Sequence, residues 1–357
     1  MRNALREIAL PIGALAAALL VFGALVWLAG VDPFDMAWLL FKGAFGDAFS
    51  WQNTLQRAAP LMLTALCVAL PAQAGLVVIG GEGALVLGGL ACAAAATQLP
   101  LPANLAGSVL ACVAGALAGA LWVMLAGALR QYRGINETIS SLLLAYVAIG
   151  LFKHLVEGPL RDPASLNKPS TLSLPEGLRI GGIAGSDVHW GLVLGVMACL
   201  LLGGWLRLTA SGFALRVVGG NLRTAQLMGL PATRLVLLAC ALGGACAGLA
   251  GAVEVAAVHT NANASLIAAY GYAGILVSFI ARHQPLAIVP VAILFGGFGA
   301  AGSLLQRRLG LPDASVLVLQ GLTFVFILAS EALRQGDPAA LWRRLWPARP
   351  ALKESSP

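Results

Sequence analysis

Charge is what this sequence has least of. Of 357 residues only 22 are Lys or Arg and 15 are Asp or Glu, 10% in all, against roughly a quarter in an ordinary soluble domain. Histidine is scarce too, and His154, His189, His259 and His283 are too scattered for a metal site, with no HExxH. No GxxxxGK[ST] occurs, so nothing in the chain binds ATP through a P-loop. No nucleophile and base can be paired, which argues against an enzyme. The six cysteines, Cys67, Cys92, Cys112, Cys199, Cys240 and Cys246, lie in apolar runs without CxxC or a neighbouring His, and read as small buried hydrophobes. A net charge of +7 could suggest nucleic acid, but the basic residues are spread along loops, and no nucleic-acid partner is expected.

What is there is oil. The chain is 59% hydrophobic with a mean hydropathy of +0.87, which makes it a polytopic membrane protein. Uncharged runs cover 8–30, 60–81, 83–129, 138–152, 188–206, 235–253, 255–281, 283–306 and 314–330. A crossing needs about 20 apolar residues, so 83–129, broken at Leu99-Pro100-Leu101-Pro102, crosses twice and the total is about ten. The first run exceeds the roughly 7–15 residues of a signal-peptide core and reads as a retained helix. With the N-terminus in the cytoplasm, most short basic loops fall inside, including Arg130 and Arg133, Arg207 to Arg234, Arg282 and the tail. Arg307 and Arg308 are the exception, falling outside. Both termini are then cytoplasmic and the loop 153–187 faces out.

The expectation is an all-α fold, one membrane domain over 1–357. Its parts are a first helix and outer segment (1–59), a helical block (60–206), a cytoplasmic loop (207–234), a second block (235–333) and a cytoplasmic tail (334–357). Glycines cluster within the spans, as in GGEGALVLGG, AGALAGALW, GGACAGLAGA and FGGFGAAG. Small residues three or four apart let backbones approach, so these are first of all packing surfaces, and they also tolerate broken helices near a substrate path. The tail places Trp342 and Trp346 where an interface could hold them.

One polar stretch stands out, LRVVGGNLRTAQLMGLP at 215–231. Asn221 is a good N-cap, 222–228 makes about two turns, Gly229 suits the position past the C-terminus and Pro231 stops the helix. The result is a short cytoplasmic helix with apolar surface, better suited to docking on a protein partner than to serving as a solvated linker.

TASGFALRVVGGNLRTAQLMGLP resembles the cytoplasmic coupling loop of permease subunits of binding-protein-dependent ABC importers, in the branched-chain amino acid, ribose and nucleoside group. AGLVVIGGEGALVLGG, GINETISSLLLAYVA, GACAGLAGAVEV, AYGYAGILVSFIARHQPLAIVPVAILFGGFGAAG and LPDASVLVLQGLTFVFILASEAL follow in the family's order. The nucleoside and simple-sugar permeases look most similar. The resemblance implies a bacterial inner-membrane subunit with no cofactor of its own. ATP and Mg would sit in a separate ATPase, an extracytoplasmic lipoprotein receptor would deliver the solute, and a second permease, identical or homologous, would complete the path within the bilayer. Arg216, Asn221, Arg223, Gln226, Leu227, Met228 and Gly229 would then couple to the ATPase. Relatives often carry Asn at the positions of Val78 and Ala145 and Asp at that of Ala273, polar-to-apolar departures that bear on the solute.

Ionisable groups within a membrane are functional candidates by default. Glu82, in GGEG, and Glu254, near a helix end, either face the path or are wetted at an interface. With Asn136, and with His259, Tyr270 and Tyr272 in and after the polar HTNANAS, they form the substrate-path candidates, since amide and aromatic groups suit a sugar or nucleobase ring. The competing class is a stand-alone secondary transporter, which would not need the capped helix and would show more embedded carboxylates.

Overall fold

The computed structural model describes residues 2–183, 185–312 and 314–335. The tail with Trp342 and Trp346 lies outside them. The described residues are helical, with two isolated antiparallel bridges, Ser170 to Asn263 and Gly182 to His189, and no strand. Two compact units emerge. The first takes, of the described residues, 2–37 and 314–335, and in it α1 (Arg2–Leu28) packs along α13 (Ala314–Gln335).

The second unit, Trp38–Asp313, holds the remaining elements. Its centre is α3 (Ala48–Gln73), α4 (Gly81–Gln98), α5 (Leu105–Arg133) and α10 (Ala232–Val253), which pack on one another. The glycine clusters explain how. Gly88 of α4 abuts Gly248 of α10, and Gly119 of α5 abuts Gly244, so closely that any Cβ would collide with backbone. This is the small-residue packing of membrane helices. Around that centre, α6 (Glu137–Glu157) packs on α4 and α5, α7 (Gly191–Leu208) and α12 (Pro285–Leu309) on α3.

Six helices are long and apolar enough to cross a membrane: Ala48–Gln73, Leu105–Arg133, Glu137–Glu157, Gly191–Leu208, Ala232–His259 and Pro285–Leu309. Shorter apolar stretches, such as Ile12–Leu28 and Ala314–Ser330, add to them, but length and composition do not establish the expected ten. The break at 99–102 falls between α4 and α5 as the prolines indicate.

Three sequence readings are corrected. The segment 31–59, read as a loop, is mostly helix, α2 (Pro33–Phe45) and the first turns of α3. Asp47 accepts the Ser50 N–H at 2.7 Å and starts α3 at Ala48. The apolar run starts later, at Pro60, because Arg57 ends it. The loop 207–234 carries a second helix, α8 (Ala210–Gly220), capped by Thr209 and seated through Leu215 and Val218. Finally, the run 255–281 is not one helix: α10 ends in a π-helical turn, Glu254–His259, and α11 (Tyr270–Ile280) begins only after ten irregular residues, 260–269.

Candidate functional site

Two segments of the larger unit interrupt its α-helices, 74–80 and 260–269, the second holding one 3-10 turn at Ala264–Leu266. Residues 74–80 link α3 to α4 and are held by α6, where Thr138 Oγ1 donates to the Val77 carbonyl at 2.9 Å and Ile79 N–H donates to Ser141 Oγ at 3.0 Å. Residues 260–269 are held from the long loop. Thr171 and Leu174 N–H donate to the Ala262 and Thr260 carbonyls, Ile180 N–H to the Ala256 carbonyl, and Ala262 N–H returns to Thr171 Oγ1. The loop is therefore a bonded brace rather than an irregular cap. Irregular backbone at membrane depth is tolerated where protein satisfies it or where it lines a cavity.

At the end of that segment Ala269 adopts φ 61°, turning the chain into α11. Eleven residues rise about 16 Å, roughly half the hydrocarbon thickness, so α11 cannot cross alone. Its first N–H groups have no intrahelical acceptors. Glu82 supplies them: Oε1 accepts Ala269 N–H at 2.9 Å and Oε2 accepts Gly271 N–H at 2.6 Å. Gly271 lies directly on the Glu82 backbone, and Thr64 Oγ1 of α3 donates to the Tyr270 carbonyl at 3.0 Å. Glu82 is fully buried. Both of its oxygens are committed to α11, as a cap supplied by another helix.

Four other polar side chains gather beside it. Glu254 Oε2, in the π-helical turn, lies 3.6 Å from His259 Nε2. Arg57 of α3 lies within electrostatic reach of both Tyr270 and Glu254. Its stem runs past Gly299 of α12, where a Cβ would come 3.4 Å from Arg57 Cδ. Glu254 is buried and His259 and Tyr270 are half-buried, whereas Arg57 is exposed. π-helical turns recur at functional sites. Sequence reading found three of the four and missed Arg57, which sits just ahead of the apolar run and was counted as loop.

The remaining path candidates lie elsewhere. Tyr272, half-buried, is within electrostatic range of Tyr146 and Glu82 rather than of Arg57. Asn136 is exposed and caps α6, accepting Thr138 and Ile139 N–H at 3.0 and 3.1 Å. Next to it, Arg130 pairs with Glu137 at 3.3 Å. Val78 and Ala145, two of the apolar departures, are fully packed, Ala145 against Gly83.

At the far end of α3 lies the polar stretch. α9 (Leu222–Leu227) starts at Asn221, whose Oδ1 accepts Thr224 N–H at 3.0 Å. It ends with Gly229 at φ 73° and Leu230 N–H on the Ala225 carbonyl at 3.0 Å, a closing bond of the Schellman type. Ala225 is its one buried residue, while Leu227 is 83% and Met228 66% exposed. Arg216, Arg223 and Gln226 are exposed as well. α8 connects α9 to the interior: Gly219 abuts the Gln73 carbonyl and Gly75 at the end of α3. Gln73 Nε2 in turn donates to the His283 carbonyl at 2.9 Å, just past α11.

A capped surface helix is thus joined through α8 and α3 to a broken interior helix. The family model for the branched-chain amino acid transport system permease component matches residues 50–328. The chain belongs to that family. It is 33% identical over 335 residues to the glucose ABC transporter permease protein of Haloferax volcanii, covering 91% of this chain and 88% of that one. It is 27% identical over 339 residues to a nucleoside ABC transporter permease protein of Lactococcus lactis, 92% of each. With a guanosine ABC transporter permease protein of Bacillus subtilis it shares 26% over 308 residues, 83% of this chain and 85% of the other. The chain is therefore a membrane-embedded permease component of an ABC importer and not a stand-alone transporter. Permease subunits of this kind are not enzymes.

Proposed function

We propose that this permease moves a nucleoside-like or simple-sugar solute along a path completed by a second permease subunit, identical or homologous. The solute is handed over by an extracytoplasmic lipoprotein receptor, and movement is driven by an ATPase that binds ATP and Mg and clasps α9. Arg57, Glu254, His259 and Tyr270 are the solute-facing group. Together they offer a cation, a carboxylate, an imidazole and a phenol ring, the few convergent polar groups that fix a polyhydroxyl or heteroaromatic ligand in an otherwise apolar site. The glucose, guanosine and nucleoside relatives support that solute class. The orientation has α9 and both termini in the cytoplasm and the brace 153–187 outside.

The observation that carries the reading is the exposed apolar surface of a doubly capped helix whose support, α8, bears on α3. In ABC importers the partner ATPase supplies the work, and α8, α3 and α11 form the contiguous route by which motion at α9 would reach Glu82 and the polar cluster. The test is uptake of labelled guanosine and glucose by cells expressing the permease with its ATPase and receptor. His259→Ala and Tyr270→Phe should cut uptake of the cognate solute at least tenfold without changing ATPase co-purification. If both variants transport normally, the cluster is not the solute contact. For orientation, a cysteine at Leu166, which is 81% exposed, is a better reporter in the brace than Ser170, which is buried against Asn263. It should react with an impermeant thiol reagent in intact cells.

A further inference from the structure

Arg307 and Arg308 break the charge pattern of the chain, since they stand at the end of α12 remote from α9. α3 fixes that geometry. It runs 26 residues, about 39 Å, from Asp47 beside them to Gln73 beside α8, a full membrane thickness. Basic residues on that side need a reason other than the positive-inside rule.

The two arginines line a cleft of about 360 Å³ whose facing wall carries Lys42. The cleft is built rather than incidental. Gly43 lies on the backbone of Ala301, where a Cβ would come 2.9 Å from its Cα, so the Lys42 turn crosses the last turns of α12. Thr54 Oγ1 donates to the Ala44 carbonyl at 2.7 Å and pins that turn to α3. Asp47 is the one carboxylate on the lining, and it is occupied as the cap of α3: the Ser50 N–H bond holds its carboxyl below the usual carboxylate range. Among the described residues neither Arg307 nor Arg308 forms an ion pair with a carboxylate.

The rim is aromatic and faces outward. Trp38 is 63% and Phe49 67% exposed, and both line the cleft. From Trp38 the rings continue through Phe41 and Phe45 to Trp51, with centroids 6.3, 6.3 and 4.9 Å apart. Such a belt marks the boundary between hydrocarbon and headgroups. Three cations in a cleft at headgroup depth, bordered by rings at acyl depth, match a phosphodiester with two chains below it. We infer that the cleft formed by the end of α2, the start of α3 and the end of α12 binds the headgroup of an anionic phospholipid on the membrane face opposite α9. Lys42, Arg307 and Arg308 hold the phosphate, and Trp38 and Phe49 flank the glycerol and upper acyl chain.

Native mass spectrometry of the purified full chain in mild detergent tests this. The chain is titrated with phosphatidylglycerol, with phosphatidylcholine of the same acyl chains, and with inorganic phosphate. One phosphatidylglycerol should be retained on the order of a hundredfold more tightly than phosphatidylcholine, given about a fivefold gain for each of three basic residues near a charged headgroup, and equimolar phosphate should not displace it. The Arg307→Gln/Arg308→Gln variant should keep only the roughly fivefold preference that Lys42 alone supplies, while Arg307→Lys/Arg308→Lys keeps the full preference. Lys42→Gln, on the opposite wall, should lower it by a similar factor per charge and guards against misfolding of α12. Equal retention of the two lipids by the wild type, or full retention of phosphatidylglycerol by both Gln variants, would overturn the inference. Displacement by phosphate would make the cleft a free-anion site instead. Loss of receptor binding in the Gln variants with lipid retention unchanged would assign it to protein docking.

Discussion

Helix α11 and helix α9 both begin with a side-chain oxygen on otherwise orphaned backbone N–H groups, Glu82 for the first and Asn221 for the second. The caps differ in origin. Asn221 belongs to the helix it caps, so it fixes α9 as a helix and says nothing of where α9 sits. Glu82 comes from α4, distant in sequence from Ala269, so it fixes the position of α11 as well as its start. Burial follows the same line: α11 packs against α3, α4 and α12, whereas α9 buries Ala225 alone. One short helix is part of the interior. The other is a finished local structure whose apolar face is exposed.

The sharpest way to break this comparison is Glu82→Ala. It strands two N–H groups, one of them fully buried, at roughly 1–3 kcal/mol each, so the melting temperature of the purified chain should drop and uptake should be lost. Glu82→Gln keeps one accepting oxygen and should fall between. Wild-type melting and uptake in Glu82→Ala would show that α11 is held by packing alone.

Next in size, and opposite in kind, are Leu227→Asp and Gly229→Val. The first places a charge on the exposed apolar face and the second puts a β-branched side chain at φ 73°. Both should abolish ATPase co-purification and uptake while the melting temperature stays near wild type. A melting loss equal to that of Glu82→Ala would erase the distinction between the two helices.

Asn221→Ala should be milder. A lost N-cap costs about 1 kcal/mol, which a helix that must be formed on docking would show as roughly fivefold weaker ATPase binding. Smallest is a pH effect at the lower end of α11, where His283 closes the turn into α12 with its Nδ1 2.9 Å from Ser278 Oγ. Burial holds its pKa below the usual histidine value. Below about pH 6.5 the unfolded chain therefore binds a proton that the folded chain does not, and stability falls as pH drops through that window. His283→Asn should flatten the dependence. An equal slope in the variant would place the titration elsewhere.

Much of this was legible because it is local. Asn221, Gly229 and Pro231 announce a bounded helix within a dozen residues, and the Pro pair at 100 and 102 announces the break between α4 and α5. The glycine clusters announced close packing without naming partners. Glu82 was legible as unusual but not as a cap, because its acceptor role depends on N–H groups nearly two hundred residues away. Arg57 was lost for a related reason. A charge ends an apolar run on paper, whereas α3 continues through it, since a helix is bounded by its cap at Asp47 and not by polarity.

The sequence by itself determined that the chain lives in a membrane, that it carries no P-loop motif, and that a short capped helix lies between two apolar blocks, because composition, motifs and caps act over short range. Only the tertiary structure decided that the run 255–281 is broken, that Glu82 turns inward to hold α11, that Asn136 is a cap, and that Arg57 joins Glu254, His259 and Tyr270. Each of these depends on which backbone groups lack partners once the helices have packed. An unsatisfied N–H inside a membrane protein costs enough to recruit whatever acceptor the fold brings near, and no window of sequence shows which one that will be.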